Sequence, residues 1–268
     1  MQPLLNCSTE ELVCLLSMCG HHEMARGLGE SLLGEKSPEG WDTVMEGAAH
    51  QLMLKGLWDT SKAAKDDIPL TDELIAFVHD YADSAYMVRF VDRENGRSLL
   101  FHQLSDAYWL YHQVINDVIH IFGRIETKDT QGEVDAFFGF TSEGVVEQEF
   151  VLTPEQFDQL TEPEQVDQLR QDLAFLLNEE ELLGFNEFVF GLSAHDWTLK
   201  NGSSFVITGT NEGMYMNDIF FFLPTPNGIW IVVYELENDQ QQVKISKKSK
   251  KEWLELSQVF FQTSLTVS

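Results

Sequence analysis

The sequence predicts an α+β protein: an antiparallel sheet flanked by helical bundles, with a winged-helix-like segment at its start. Three patterns lead there. Apolar residues recur at helical spacing, with capping signals, through the first third of the 268 residues. From Tyr86 the period shortens to two, and turn residues divide the apolar runs. After residue 150 helices and then strands return in the same order. The chain therefore reads as a single α+β domain, 1–268, within which 1–150 and 151–268 form quasi-repeats.

Each element has its own signal. Ser8-x-x-Glu11 is a capping box, and Leu12, Leu15, Leu16 and Cys19 continue from it at helical spacing to Gly20. A second short helix covers 23–33. Ser37-Pro38 opens a third, in which Trp41, Val44, Met45, Ala48, Ala49 and Leu52 share a face as far as Lys55-Gly56. Thr71 caps a fourth over 72–82, with Leu70 and Ile75 placed as a hydrophobic staple.

The strands come next. Segments 86–92 and 97–103 flank Glu94-Asn95-Gly96, and 107–115 and 118–125 flank Asn116-Asp117; a fifth strand, 135–141, closes this meander. Thr153-Pro154-Glu155-Gln156 is a second capping box, stapled by Leu152 and Phe157. Thr161-x-x-Glu164 starts a longer helix carrying Val166, Leu169, Leu173, Leu176 and Leu177. The Phe-rich stretch 184–192 fits either helix or strand. Strands near 204–208, 214–223, 229–237 and 242–246 make a second meander, and a helix over 250–262 follows. The repeat rests on 98–122 and 218–245, which set Tyr108-Trp109-Leu110-Tyr111 against Ile229-Trp230-Ile231-Val232.

Both faces of the second meander are apolar: Ile219, Phe221 and Leu223 alternate with Phe220 and Phe222. Such strands are covered on both sides. Any part the helices leave bare becomes a binding surface.

Charge narrows the function. With 17 Lys+Arg against 44 Asp+Glu the formal net charge is −27, which repels phosphate and argues against nucleic-acid and anionic-membrane partners. Between Asp129 and Val243 the only cations are Arg170 and Lys200, so that surface is suited to a basic partner. Lys244, Lys247, Lys248, Lys250 and Lys251 form a local basic patch at a helix start, where the macrodipole disfavours them and either an acidic neighbour within the chain or a partner contact compensates. Cys7, Cys14 and Cys19 form no C-x-x-C pair, there is no basic-then-apolar leader, and prolines break the apolar stretch 219–236. The expected address is the cytoplasm.

No catalytic motif is present: no G-x-S-x-G, H-E-x-x-H, Walker A or G-x-G-x-x-G. His102, His112 and His120 lie on neighbouring strands and could meet on one sheet face, but no Cys or carboxylate joins them at metal-ligand spacing. His21-His22-Glu23 reads as a solvated helix start, His50 and His79 as helix-surface residues, and Glu179–Glu181 as a solvated helix end. No metal or cofactor is expected. The third helix presents Glu39, Asp42, Glu46, His50 and Gln51 where a DNA reader carries bases' hydrogen-bonding partners and cations, which excludes that use of a winged helix.

Taken with the order of elements, the pattern Ala48-x-x-x-Leu52-x-x-Lys55-Gly56-Leu57 resembles EspG, the cytosolic substrate-recognition chaperones of bacterial type VII secretion. The resemblance implies two α+β halves about a quasi-two-fold, no catalytic residues, and capture of the tip of a helical secreted protein. No binding residue transfers by motif. The expected function is a non-enzymatic cytosolic adaptor in which the sheet aromatics Trp109, Tyr111, Phe220, Phe222 and Trp230 are the candidate anchors for the partner inside an acidic rim, the other reading of each being a core side chain. The alternative is an acidic immunity protein that neutralises a basic toxin. An enzyme assembled from the three strand histidines is a third reading.

Overall fold

The computed structural model describes residues 2–65, 67–140, 145–208, 213–237 and 239–262. It divides into two compact units that interleave in sequence. One comprises Met1–Met87, Gly96–Thr127 and Ile207–Gly213, the other Val88–Asn95, Lys128–Val206 and Met214–Ser268.

The first unit opens with a strand, β1 (Gln2–Ser8), in place of a helix-only start. The Ser8–Glu11 capping box then begins α1 (Thr9–Met18), followed by α2 (His22–Leu33) and α3 (Pro38–Leu54), which Ser37 caps. Gly29 lets α2 and α3 approach closely, because a Cβ there would lie 2.6 Å from Trp41 Cη2. The Lys55-Gly56-Leu57 segment terminates α3: Gly56 has φ +72° and the Leu57 amide donates to the Leu52 carbonyl at 3.0 Å. Lys55 Nζ reaches Glu11 at 2.6 Å and the Asn6 carbonyl at 3.1 Å, so that motif is architectural. Beyond it Trp58 and Leu70 form an antiparallel bridge around a one-turn helix, α4 (Thr60–Ala63), and Thr71 caps α5 (Asp72–Ala82).

Strand β2 (Tyr86–Asp92) has only Tyr86 and Met87 in this unit; β3 (Arg97–Gln103), β4 (Tyr108–Ile115) and β5 (Ile119–Glu126) lie wholly within it and pair antiparallel in sequence, as expected. The β4–β5 turn is made by Asn116 and Asp117 at φ 52° and 56°, and β1 pairs antiparallel with β5. Leu5, Cys7, Leu12, Leu15, Leu52, Phe77, Leu110 and Phe122 belong to this unit's core. All three cysteines are buried and free.

The second unit corrects one strand. Residues expected to extend over 135–141 form α6 (Thr130–Phe138), because Thr130, Val134 and Phe137 are buried at helical spacing and Gly139 ends the helix in the left-handed region; residue 141 lies outside the described set. A short strand, β6 (Glu149–Leu152), precedes α7 (Pro154–Asp158), whose Thr153 capping box is present. The longer helix expected from Thr161 is α8 (Val166–Leu173), with Leu176 exposed beyond its end. The Phe-rich stretch resolves as helix, α9 (Glu179–Ala194), begun by an Asn178–Glu181 capping box. Strands β7 (Lys200–Thr208), β8 (Gly213–Thr225), β9 (Gly228–Glu237) and β10 (Gln240–Lys248) follow, then α10 (Lys250–Gln262).

In this unit the strands are covered on both sides. Phe185, Phe188, Val189 and Leu192 of α9 join Phe150, Trp230 and Val232 in one cluster. On another side Phe138 packs edge to face on Phe222 and Phe140 on Trp253, with Phe260 stacked on Phe220. The ten strands are hydrogen-bonded in the order β1-β5-β4-β3-β2-β7-β8-β9-β10-β6.

Candidate protein-docking surface

The five aromatic side chains expected as partner anchors are all buried. Trp109 and Tyr111 lie in the first unit, Phe220, Phe222 and Trp230 in the second. All five rings are core side chains, which corrects their expected exposure as anchors. Only Trp230 among the five lines a groove beside the helix 179–194, as part of its floor.

That groove runs beside α9. The helix is acidic in its first turn, Glu179–Glu181, where the macrodipole favours carboxylates; after that Glu187 is its only charge. Gly184 and Gly191, two turns apart, face the strands: a Cβ at Gly191 would come within 3.0 Å of Leu223 Cδ2 and 3.1 Å of Thr225 Cγ2. This close seating buries one side of α9 and leaves apolar side chains over on the other. Phe190 is 77% exposed and Leu183 56%.

Phe190 stands between two depressions. One, of about 390 Å³ and mostly apolar, lies between α9 and the β8–β9 turn, with Gly191, Ala194, Pro224, Pro226 and Trp230 in its lining. The other, of about 370 Å³, is bordered by Val166, Arg170, Val189, Ser193 and Trp197. The cations beside them are engaged: Lys247 with Glu187 at 2.7 Å and over the Trp230 ring at 5.4 Å, and Arg170 with Asp167 at 2.7 Å. Of the two ways to compensate the basic patch, the chain supplies acidic neighbours of its own, with Lys244 on Glu149 at 2.9 Å and Lys250 on Asp135 at 2.7 Å.

Two polar clusters have the composition of catalytic groups. In the first unit His102, His112 and His120 do meet, as a ladder across β3, β4 and β5. His102 Nε2 is 3.5 Å from His112 Nδ1, His112 Nε2 is 2.9 Å from His120 Nδ1, and His120 Nε2 is 3.0 Å from Thr9 Oγ1. All three rings are buried, with Tyr81 edge-on to two and His112 stacked on Phe122 at 4.1 Å. Burial pulls His102 down to about 3 and His120 to about 4, and holds His112 well below the ordinary imidazole range, so the ladder is neutral. In the second unit buried Lys200 pairs with Asp92 and lies 3.2 Å from Glu94, which also meets His195 at 3.0 Å. The hydrogen bond from His195 lowers the Glu94 carboxyl.

These features define an α+β protein with Leu183 and Phe190 exposed on α9 beside a groove. The chain matches the family model described as "Uncharacterised protein YfjC" over residues 4–255 and belongs to that family. No curated protein matches it. Among the described residues no helix is long and apolar enough to cross a membrane.

Proposed function

We propose that the protein is a non-enzymatic cytoplasmic adaptor that docks a helical segment of another protein along α9. The observation that carries this reading is Phe190: a large apolar ring on a rigid helix, 77% exposed, with a depression on either side. A helix in the partner can set an apolar side chain into the depression beside the β8–β9 turn and a polar one into that beside Arg170, closing over the ring, which is the arrangement of an interface anchor. Glu180 and Glu181 at the start of α9 leave the rim acidic, so the partner segment has neutral or basic flanks. The resemblance to EspG chaperones supplies the partner class, a helical protein bound for type VII secretion.

The test is a photo-crosslinking phenylalanine analogue at position 190 in the native cell. Phe175, 90% exposed and lining neither depression, is the comparison site. A helical secreted protein crosslinked at 190 and not at 175, and still bound at 1 M salt (Debye length about 3 Å), supports the reading. A basic protein released by that salt supports the immunity reading instead. Equal labelling at both sites, or none, overturns the α9 surface.

A further inference from the structure

The α1–α2 turn and the end of α5 bring together His21, His79 and Asp83, three side chains that the first unit's core packing does not use. Each offers one ligand atom, and these atoms all lie within 4.8 Å of one another. Among the described residues they are the one group of three or more His, Cys, Asp or Glu that could hold a metal ion. We propose that they form a divalent transition-metal site of the zinc type.

The backbone holds all three ligands on helical ends. His21 follows Gly20, which turns the chain at φ +90°; its amide donates to the Leu16 carbonyl at 2.9 Å and its carbonyl accepts from Ala25 at 2.9 Å. It occupies the cap position of α2, yet its imidazole makes no capping bond and is turned instead to His79. His79 and Asp83 are one helical turn apart at the end of α5, with the Asp83 amide donating to the His79 carbonyl at 2.8 Å. Phe77, Val78 and Tyr81 bury the opposite side of α5 and so fix the side that carries the ligands.

The ring geometry suits a shared ion. His21 Nε2 and His79 Nδ1 are 2.9 Å apart, with ring centroids at 5.0 Å and planes at 67°. Two nitrogens on a tetrahedral zinc at about 2.0 Å each would be separated by about 3.3 Å, so a shift of a few tenths of an ångström converts one arrangement to the other. Two imidazoles and a carboxylate are a borderline N/O donor set, which favours Zn²⁺, Cu²⁺ or Ni²⁺ over Mg²⁺ or Ca²⁺. Three ligands leave a fourth tetrahedral position for water. The ion would tie the start of α2 to the end of α5.

The test is calorimetric titration of untagged, chelator-treated full-length protein with Zn²⁺ at pH 7.5, compared with the variants His79→Gln and Asp83→Asn and with His50→Gln as a control from the exposed face of α3. One equivalent should bind with micromolar or better affinity, each site variant should weaken it at least tenfold, and the control should leave it unchanged. Unsaturable binding, or wild-type affinity in His79→Gln, overturns the proposal. Should a variant melt lower without metal, wild-type protein with Co²⁺ decides: a visible tetrahedral absorption band, bleached by one equivalent of Zn²⁺, supports the site, and its absence overturns it.

Discussion

His120 Nε2 donates to the Thr9 hydroxyl across 3.0 Å, and the direction of that bond sets the tautomers of three buried rings. The Thr9 hydroxyl has a single proton, which it gives to the Asp117 carbonyl at 2.8 Å, so towards His120 it can only accept. His120 then carries its proton on Nε2 and accepts on Nδ1 from His112, which in turn accepts from His102. The ladder ends at His102 Nδ1, a buried lone pair with no hydrogen-bond partner. Ending on an acceptor leaves no unpaired buried N–H donor, and no ring needs a second proton.

Acid should therefore unfold the protein through this ladder. The folded-state values of the three rings lie below the unfolded value of about 6.5, so the unfolded chain binds more protons as pH falls from there towards 4. Their stabilisation is full above pH 6.5 and declines on acidification, by up to about 1.4 kcal/mol per pH unit for each ring. Urea unfolding at pH 7.0, 6.0 and 5.0 measures the slope. His102→Leu, which removes one titrating ring at the open end of the ladder, should reduce this contribution by about a third.

Lys200 and Asp92 should behave as one unit. Both are buried, and Lys200→Met leaves the Asp92 carboxylate in the interior without its ammonium partner, a loss of about 3–5 kcal/mol. Adding Asp92→Asn should recover most of that loss, since the remaining amide carries no charge. A double-mutant cycle by chemical denaturation checks the coupling, and additive losses would contradict it.

Two glycines of α9 should respond oppositely to alanine. At Gly184 a Cβ meets only ordinary contacts, 3.5 Å from Phe150 and Trp230, so Gly184→Ala gains helix propensity and stabilises by up to about 1 kcal/mol. At Gly191 the same atom lies 3.0 Å from Leu223 Cδ2 and 3.1 Å from Thr225 Cγ2, tighter than ordinary contact, so buried side chains must give way by a few tenths of an ångström. Gly191→Ala should lower the melting temperature where Gly184→Ala raises it.

The thiols should be silent in the folded protein. Burial raises Cys7 to about 12 and Cys14 to about 11, and it also raises Cys19, so little thiolate exists at pH 8. Ellman's reagent should modify the three cysteines in denaturant, with native protein reacting at least a hundredfold more slowly. Fast labelling of Cys7 or Cys14 would contradict this.

Local chemistry made much of the fold readable. Capping boxes at Ser8 and Thr153 start helices where their side-chain bonds demand, and Asn116-Asp117 turns the chain because both residues tolerate positive φ. The elements missed lack such marks. In β1 only Leu5 and Cys7 are buried and Pro3 sits early in the strand; in α6 the run Ala136-Phe137-Phe138 has strand composition, yet buried Thr130, Val134 and Phe137 fall on one helical stripe. Stretch 184–192 fits either period because four of its nine residues are Phe or Val and its two glycines interrupt any helical stripe, and that ambiguity hides the exposed Phe190. The sheet aromatics could be recognised as large and apolar, but their burial depends on helices far away in sequence. His21 and His79 are 58 residues apart, so their meeting has no local signal at all.

Both terminal strands of the sheet order bear on how copies of this chain meet in a concentrated cell. An unpaired strand edge is a template on which another chain can polymerise. At one end β1 carries Pro3, which offers no amide, and its register against β5 is broken between Pro3 and Leu5. At the other end β6 is four residues long and bears Glu149 beside Lys244, a charged stub too short to seed a growing ladder. Proline and a register break guard one end, brevity and charge the other, so the sheet can be wide without becoming the first layer of a fibre.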